Sequence, residues 1–245
     1  MKLVMFFLCF NVLQLVQAQN KLDEKGKKQG DWVKTYPNSK SIEFKGQFKD
    51  DQPYGEFIYF FQTGKIKART NFIQNSAISY SVLFHENEVV LAEGKFIGKE
   101  KDSTWSFYGN RGHLGLVENY KKGKLHGKRT VFYVPENLRD TTKRISQVAS
   151  YTNGELDGEF IEYFDNGVLK HSSKYIKGRR VGISLSYHPN GKIMIKDTFL
   201  NGAKEGWCYA YNEEGIESGK SYFHLGTRLS EEETQKFLKK NSQKK

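Results

Sequence analysis

The sequence predicts an all-β fold: an elongated, single-layer, twisted antiparallel sheet of repeated β-hairpins, closed by a short C-terminal capping helix. Three columns of residues in one period predict it. The first is aromatic: Phe48, Phe72, Phe96, Tyr120, Tyr151, Tyr175, Phe199 and Phe223, with every step 24 residues except one of 31. Three residues further on stand Asp51, Asn75, Lys99, Gly123, Gly154, Gly178, Gly202 and Gly226. All but Lys99 are types that tolerate a positive φ in a turn, and Lys99 has Gly98 beside it. The third column, seven residues after the aromatic, reads Gly55, Ser79, Ser103, Gly127, Gly158, Gly182 and Gly206, with Gly30 in the same place before the first unit. A fixed period over most of a chain signals an array of about eight units, not a single core.

The sixth unit shows how each element is read. Phe160, Ile161, Tyr163 and Phe164 form a strand rich in aromatic and branched side chains. Asp165-Asn166-Gly167 is the tight turn. A second strand runs from about Val168 to Ile176, and Lys177-Gly178 opens a longer turn to the next unit. Gly158 ends the preceding turn, so Gly123, Gly127, Gly154, Gly158, Gly178, Gly182, Gly202 and Gly206 are all read as structural turn residues. Strict alternation puts Ile161 and Tyr163 on one face. The Tyr163 column (Phe60, Phe84, Tyr108, Phe132, Tyr163, Tyr187, Tyr211) is expected to stack with the Tyr175 column into one aromatic ladder.

Composition agrees. Hydrophobic residues make up 37% while aromatics reach 14%, a mix suited to a thin sheet with little deep core. Twenty-three glycines and four prolines fit many turns.

The ends differ from the array. Residues 1–18 have a basic Lys2, an apolar run from Leu3 to Val16 and the small-residue site Val16-Gln17-Ala18. This is the layout of a cleavable secretory signal peptide, with cleavage expected after Ala18 and an exported product: periplasmic, envelope or secreted. Cys9 lacks the small preceding residue that lipidation wants, which leaves Cys208 as the one mature cysteine, expected as a small buried strand residue. Residues 19–29 are polar and charged and expected to be a flexible leader. The array is placed at 30–229. In the segment 230–245, Ser230 and Glu233 form a capping box for a helix to about Lys240, followed by a basic tail.

The units resemble MORN repeats, in the shortened variant of the bacterial YwqK antitoxin-like group. The strings that carry the resemblance are YKKGKLHGKRTVFY (Tyr120–Tyr133), YTNGELDGEFIEYF (Tyr151–Phe164) and YIKGRRVGISLSYHPNGKI (Tyr175–Ile193). The second and third units depart from it, with Ser79 and Ser103 where glycine is usual. The resemblance implies a hairpin array used as scaffold or binding surface. It permits, without showing, contact with proteins or acidic phospholipids. The antitoxin label implies little for an exported chain, which does not sit where a cytoplasmic toxin must be neutralised.

No catalytic constellation emerges. His85, His113, His126, His171, His188 and His224 form no HExxH pair and are read as scattered through their units. The glycines lead into strands, not into the helix a phosphate loop needs. No serine stands in a G-x-S-x-G elbow. Glu159 and Glu162 are a carboxylate pair without a marked cleft. The expectation is a non-enzymatic binding module with no cofactor and no metal. Its partner is expected to be protein, alternatively an anionic lipid headgroup or polysaccharide, given the net charge of +11. Nucleic acid is excluded by export and by aromatics already assigned to packing. The candidate binding residues are Arg139, Lys143 and Arg144 in the fifth-unit insertion and Lys124, Arg179 and Arg180 in basic turns.

Overall fold

The computed structural model describes residues 19–137 and 140–242. Residues 1–18, on which the signal-peptide reading falls, Arg139 and the end of the basic tail lie outside them. The described residues form one open antiparallel sheet of twenty strands and one helix. The strands are β1 (Lys21–Leu22), β2 (Lys28–Thr35), β3 (Ile42–Lys49), β4 (Gln52–Phe60), β5 (Ile66–Phe72), β6 (Ile78–Phe84) and β7 (Val90–Ile97). They continue with β8 (Glu100–Tyr108), β9 (Leu114–Lys121), β10 (Lys124–Leu125), β11 (Gly127–Phe132), β12 (Ile145–Thr152), β13 (Glu155–Tyr163) and β14 (Leu169–Ile176). The last are β15 (Arg179–Tyr187), β16 (Ile193–Leu200), β17 (Ala203–Lys204), β18 (Gly206–Tyr211), β19 (Glu217–His224) and β20 (Thr227–Leu229), before α1 (Glu231–Ser242). Each strand pairs with its sequence neighbour; β10 and β11 together line β9, and β17 and β18 together line β16. Among the described residues β1 pairs only with β2 and β20 only with β19, so the sheet does not close into a barrel.

The two kinds of turn have the reverse of their expected lengths. Lys121 pairs with Lys124 across Lys122-Gly123, and both loop residues have positive φ (51° and 74°). Asn153-Gly154, Lys177-Gly178, Asn201-Gly202 and Leu225-Gly226 repeat this two-residue turn. Positive φ at both positions is what a tight hairpin between right-twisted strands demands. The amide of each second residue also donates to the strand that leaves the preceding turn, as from Gly123 to Lys101 O (2.9 Å) and from Gly178 to Leu156 O (2.8 Å). Where Lys99 breaks the column, Gly98 takes the positive φ (62°) and donates to Ala77 O (2.7 Å). Asp165-Asn166-Gly167 instead forms a three-residue loop: Phe164 N–H bonds Val168 O and Gly167 N–H bonds Phe164 O. The two turn types line opposite rims of the sheet.

The third column is not a turn. Gly158 lies within β13, where Ala149 pairs with Phe160 and Tyr151 with Leu156, so that Ser150 faces three residues. This is a bulge of two extra residues, and it needs a left-handed glycine. Gly55, Gly182 and Gly206 have φ of 69°, 71° and 85° for the same reason. The second unit lacks the bulge. Its two extra residues sit in the loop at 74–77, Phe72 pairs directly with Ser79, and no glycine is required there. The third unit keeps the bulge and forces Ser103 to φ 59°.

The bulge also changes which columns share a face. Gly158 pairs with Tyr175, which puts Phe160, two residues on, beside Tyr175. The aromatic ladder therefore joins the Tyr175 and Phe160 columns, not the Tyr163 column. Its edge-to-face contacts are Trp32–Phe48 (5.8 Å), Phe48–Phe57 (5.2 Å), Phe57–Phe72 (5.0 Å), Phe96–Trp105 (4.8 Å) and Phe160–Tyr175 (5.8 Å). Phe57 and Trp105 are 2% and 0% exposed in a sheet with no second layer. Glycines opposite them make this possible: a Cβ on Gly46 would stand 2.4 Å from the Phe57 ring, and one on Gly94 2.3 Å from the Trp105 indole. Cys208 is buried in the same column, as its place in the repeat indicated.

Residues 19–29 are not a flexible leader. The Asp23 carboxylate accepts the Lys25 and Lys27 amides (2.9 Å each), which turns β1 back onto β2. Asn20 then covers the outer edge of β2, its side chain accepting from Val33 N–H (2.8 Å) and donating to Val33 O (2.9 Å). At the other end Ser230 and Glu233 form the expected capping box (2.8 and 3.3 Å). Helix α1 packs through Phe237 on Tyr222 and His224, 5.7 and 4.4 Å between ring centres.

Candidate binding surfaces

Call the face that carries the Phe48 column the front. Its central row can be followed strand by strand through the register: Phe44, Tyr59, Ala68, Leu83, Ala92, Phe107, Leu116, Val131, Gln147, Glu162, His171, Ser186. The row is apolar from β3 to β11 and polar from β12 to β15. In its apolar half Phe44, Tyr59, Leu83, Phe107, Leu116 and Val131 are half-buried, covered only from the sides.

The polar half is a connected network. Glu118 holds the Tyr120 hydroxyl and accepts from Arg129 Nε (3.0 Å); Arg129 Nη1 reaches Gln147 Oε1 (3.1 Å); Gln147 Nε2 reaches Glu162 Oε1 (3.4 Å). Burial, and then the Glu118 carboxylate that it bonds, push the Tyr120 phenol far above its ordinary range. Farther on, His171 lies within hydrogen-bond distance of Ser186 (3.0 Å) and Ser173 (3.2 Å), and burial lowers its pKa. Lys204 closes the row on Asp197 (2.8 Å). Partners within the network satisfy these groups, so it is a stabilising seam with no free nucleophile or base. No group of three metal-ligating side chains occurs among the described residues.

The candidate residues part company. Arg180 is not a free turn cation: Nε and Nη2 donate to the Tyr175 hydroxyl (3.1 and 2.8 Å) and its guanidinium lies 4.7 Å from the Phe199 ring centre. Lys28, Lys101 and Lys204 hold the same post over Phe48 (4.8 Å), Tyr120 (5.1 Å) and Phe223 (5.1 Å). A cation over a ring face is attracted to its quadrupole, and Lys101, also 4.8 and 4.6 Å from Trp105 and Phe107, is buried enough to lower its pKa. Lys124 and Arg179 stay exposed on the two-residue rim. The insertion stands on the other rim, where Arg144 is tied to Asp165 (2.6 Å) and Asp140 (3.5 Å) while Lys143 is exposed and forms no ion pair among the described residues. The structure thus separates the two basic groups.

Sequence reading missed the histidine pattern. His85 and His188 occupy one place, the residue opening the three-residue turn, and each bonds through Nε2 the carbonyl of the next unit's Tyr108 (3.1 Å) or Tyr211 (2.9 Å). Tyr36 and Tyr133 do the same with their hydroxyls, to Phe60 O (2.6 Å) and Tyr163 O (2.7 Å). These are staples between units. Their common spacing before each turn was the available signal.

Three segments match the MORN repeat variant: residues 53–74, 156–177 and 180–201. Each match spans one three-residue hairpin, β4–β5, β13–β14 or β15–β16. In these three segments the matched repeat coincides with the hairpin unit, and MORN repeats suggest a scaffold or binding module. No curated protein matches the chain. Among solved structures, a porin-like protein from Bacteroides uniformis is similar at 8% identity over 80% of this chain and 91% of its own, with a TM-score of 0.17. A superposition that loose carries nothing about fold or function.

Proposed function

We propose that this MORN-repeat chain is an exported, non-enzymatic scaffold that binds a partner protein through the apolar half of its front face. One observation supports the reading above others: six half-buried apolar side chains, from Phe44 to Val131, line one uninterrupted row with no second layer above them among the described residues. A continuous apolar surface on a repeat array is the usual mark of a docking face. Export rests on the layout of residues 1–18. A kinship with the antitoxin-like group rests on the pattern of the repeat strings alone, and export argues against that role.

The test is affinity capture from envelope fractions with wild type, with Leu83→Asp/Phe107→Asp, and with Lys124→Glu/Arg179→Glu. A specific protein retained by wild type and by the rim variant, and lost with the front-face variant, is the expected result. Loss with the rim variant alone, together with steep weakening by salt, would replace this reading with anionic-surface binding. Circular dichroism of each variant separates lost binding from lost folding.

A further inference from the structure

We propose that the free outer edge of β19 is a docking site for an extended, basic segment of a partner protein, which adds to the sheet as one more antiparallel strand and seats a large apolar side chain beside Trp207. The inference stands apart from the front-face reading, because the site is a sheet edge and the recess behind it, and it uses none of the apolar front-row side chains.

The vacancy has a defined register. In every earlier unit the residues four and three before the ladder aromatic pair outward with the next strand. In the first unit Phe44 pairs with Tyr59 and Lys45 with Ile58; in the seventh Ile195 pairs with Ala210 and Lys196 with Tyr209; the units between do the same. In the eighth unit these residues are Gly219 and Lys220, and no strand lies outside them among the described residues, because β20 ends at Leu229. Tyr222 pairs with Leu229 across the Leu225-Gly226 hairpin. Alternation along an antiparallel strand then directs the Lys220 amide and carbonyl outward as well. Unpaired strand groups of this kind are a template for another chain. The opposite end of the array is closed: Lys21 and Leu22 pair with Gln29 and Lys28, and Asn20 covers Val33.

The edge borders a recess. Helix α1 stands on the back face through Phe237 and leaves, between itself and β19, a recess of about 650 Å³ lined by Trp207, Lys220, Tyr222, Leu229, Thr234 and Leu238, among others. Trp207 is peculiar to this unit: Glu56, Lys128 and Glu159 stand at its place in three others. It meets Tyr222 edge to face (5.3 Å). Lysine commonly guards a free strand edge, but Lys220 Nζ is drawn over the Trp207 ring (5.1 Å). Residues opposite each other on antiparallel strands share a face, so the side chain opposite Lys220 lies on the back, beside this recess. An aromatic ring there is covered by Trp207, Tyr222 and Leu238.

Charge selects the occupant. Glu213, Glu214, Glu217 and Glu231 flank the edge and the recess, exposed and without an ion pair among the described residues, against two cations, Lys220 and Arg228. A strand antiparallel to β19 runs out past Glu217 and the turn at 213–214, so its C-terminal end meets carboxylates and calls for lysine or arginine. The same carboxylates disfavour a second copy. Two β19 edges paired about Gly219 would bring Glu217 and the 213–214 turn of each against the Glu231–Glu233 start of the other's α1.

The test is fluorescence anisotropy with a labelled synthetic peptide of the β18 sequence, residues 206–211 with Cys208→Ser and added lysines at its C-terminus. In the array this strand places Tyr209 opposite Lys196, the equivalent of Lys220. Saturable binding at a Kd of roughly 10–100 μM is expected. Methylation of the peptide's Tyr209 amide removes one main-chain bond to the edge and should weaken binding by about 10-fold or more. Lys220→Pro in the protein should do the same from the other side. The front-face variant Leu83→Asp/Phe107→Asp should bind the peptide like wild type, which separates this site from the front-face reading. Glutamates in place of the added lysines should weaken binding by about 10-fold, and unchanged or tighter binding refutes a basic occupant. Absence of saturable binding up to about 1 mM overturns the proposal. So does equal affinity for the methylated peptide, a result that stays decisive even where Lys220→Pro unfolds the protein. A dimer in sedimentation velocity that Lys220→Pro abolishes also overturns it, since the edge then belongs to a second copy.

Discussion

At the scale of single residues, left-handed positions carry the design. Most are glycine or asparagine, and the exceptions locate strain. Ser103 sits at φ 59° in a bulge where other units place glycine, its hydroxyl held by Asp102 (2.9 Å). A left-handed conformation costs a residue with a Cβ roughly 1–2 kcal/mol. Ser103→Gly should therefore raise stability by about 1 kcal/mol, somewhat less than the strain because glycine also gains freedom in the unfolded chain. Gly158→Ala should do the opposite, since its φ is 120° and its Cβ would stand 2.8 Å from Ser150 Cβ. Thermal melts of the two variants check both signs, and a stabilising Gly158→Ala would contradict the bulge as described.

At the scale of elements, the C-terminal helix shows how an array end is finished. The place of the next bulge glycine is taken by Ser230, which starts a helix instead of a strand, so that residues 217–221 of β19 have no outer strand partner among the described residues. Glu205 anchors this end, accepting from the Leu225 amide (2.8 Å) and contacting His224 Nδ1 (2.9 Å), whose ring lies under Phe237. Burial disfavours its charged form, but the bonds from His224 and Leu225 outweigh that and hold its carboxyl below the ordinary value of 4.5. A depressed carboxyl contributes stability that is complete above its unfolded value and is lost as pH falls through the folded one. Acidification from about pH 6 to about pH 3 should therefore destabilise wild type more than Glu205→Gln. Equal losses in the two proteins, read from thermal melts, would remove Glu205 as the anchor.

At the scale of the whole molecule, contacts between strands run chiefly between neighbours in the sheet, and α1 packs on β19 and β20. Stability is then close to a sum of units and interfaces. Deleting residues 175–198, one full period, joins Lys174 to Phe199 and keeps every column in phase. This protein should fold cooperatively with a modestly lower Tm, whereas removal of half that length puts Gly-column positions into strand interiors and should abolish the transition. The same modularity lets the front face change chemistry between Val131 and Gln147, from an apolar docking row to a polar seam, without altering the backbone.

The repeat, the all-β class, the helix cap and the buried place of Cys208 were legible in the sequence, because each depends on local rules: turn residues with positive φ, branched and aromatic strands, a capping box. The apolar row was not, although every residue in it was visible. Face assignment needs the register, and most units insert a two-residue bulge at the Gly158 position and a one-residue shift before the three-residue turn. Those irregularities moved Phe160, not Tyr163, beside Tyr175. Cross-strand contacts likewise turned Arg180 and Arg144 from free cations into packed or paired ones. The free edge at Gly219 and Lys220 depends on where β20 stops and α1 turns onto the back face, which is again a matter of neighbours across the sheet. Period and element type are properties of neighbours along the chain; faces, staples and sites are properties of neighbours across it, which only the tertiary structure decides.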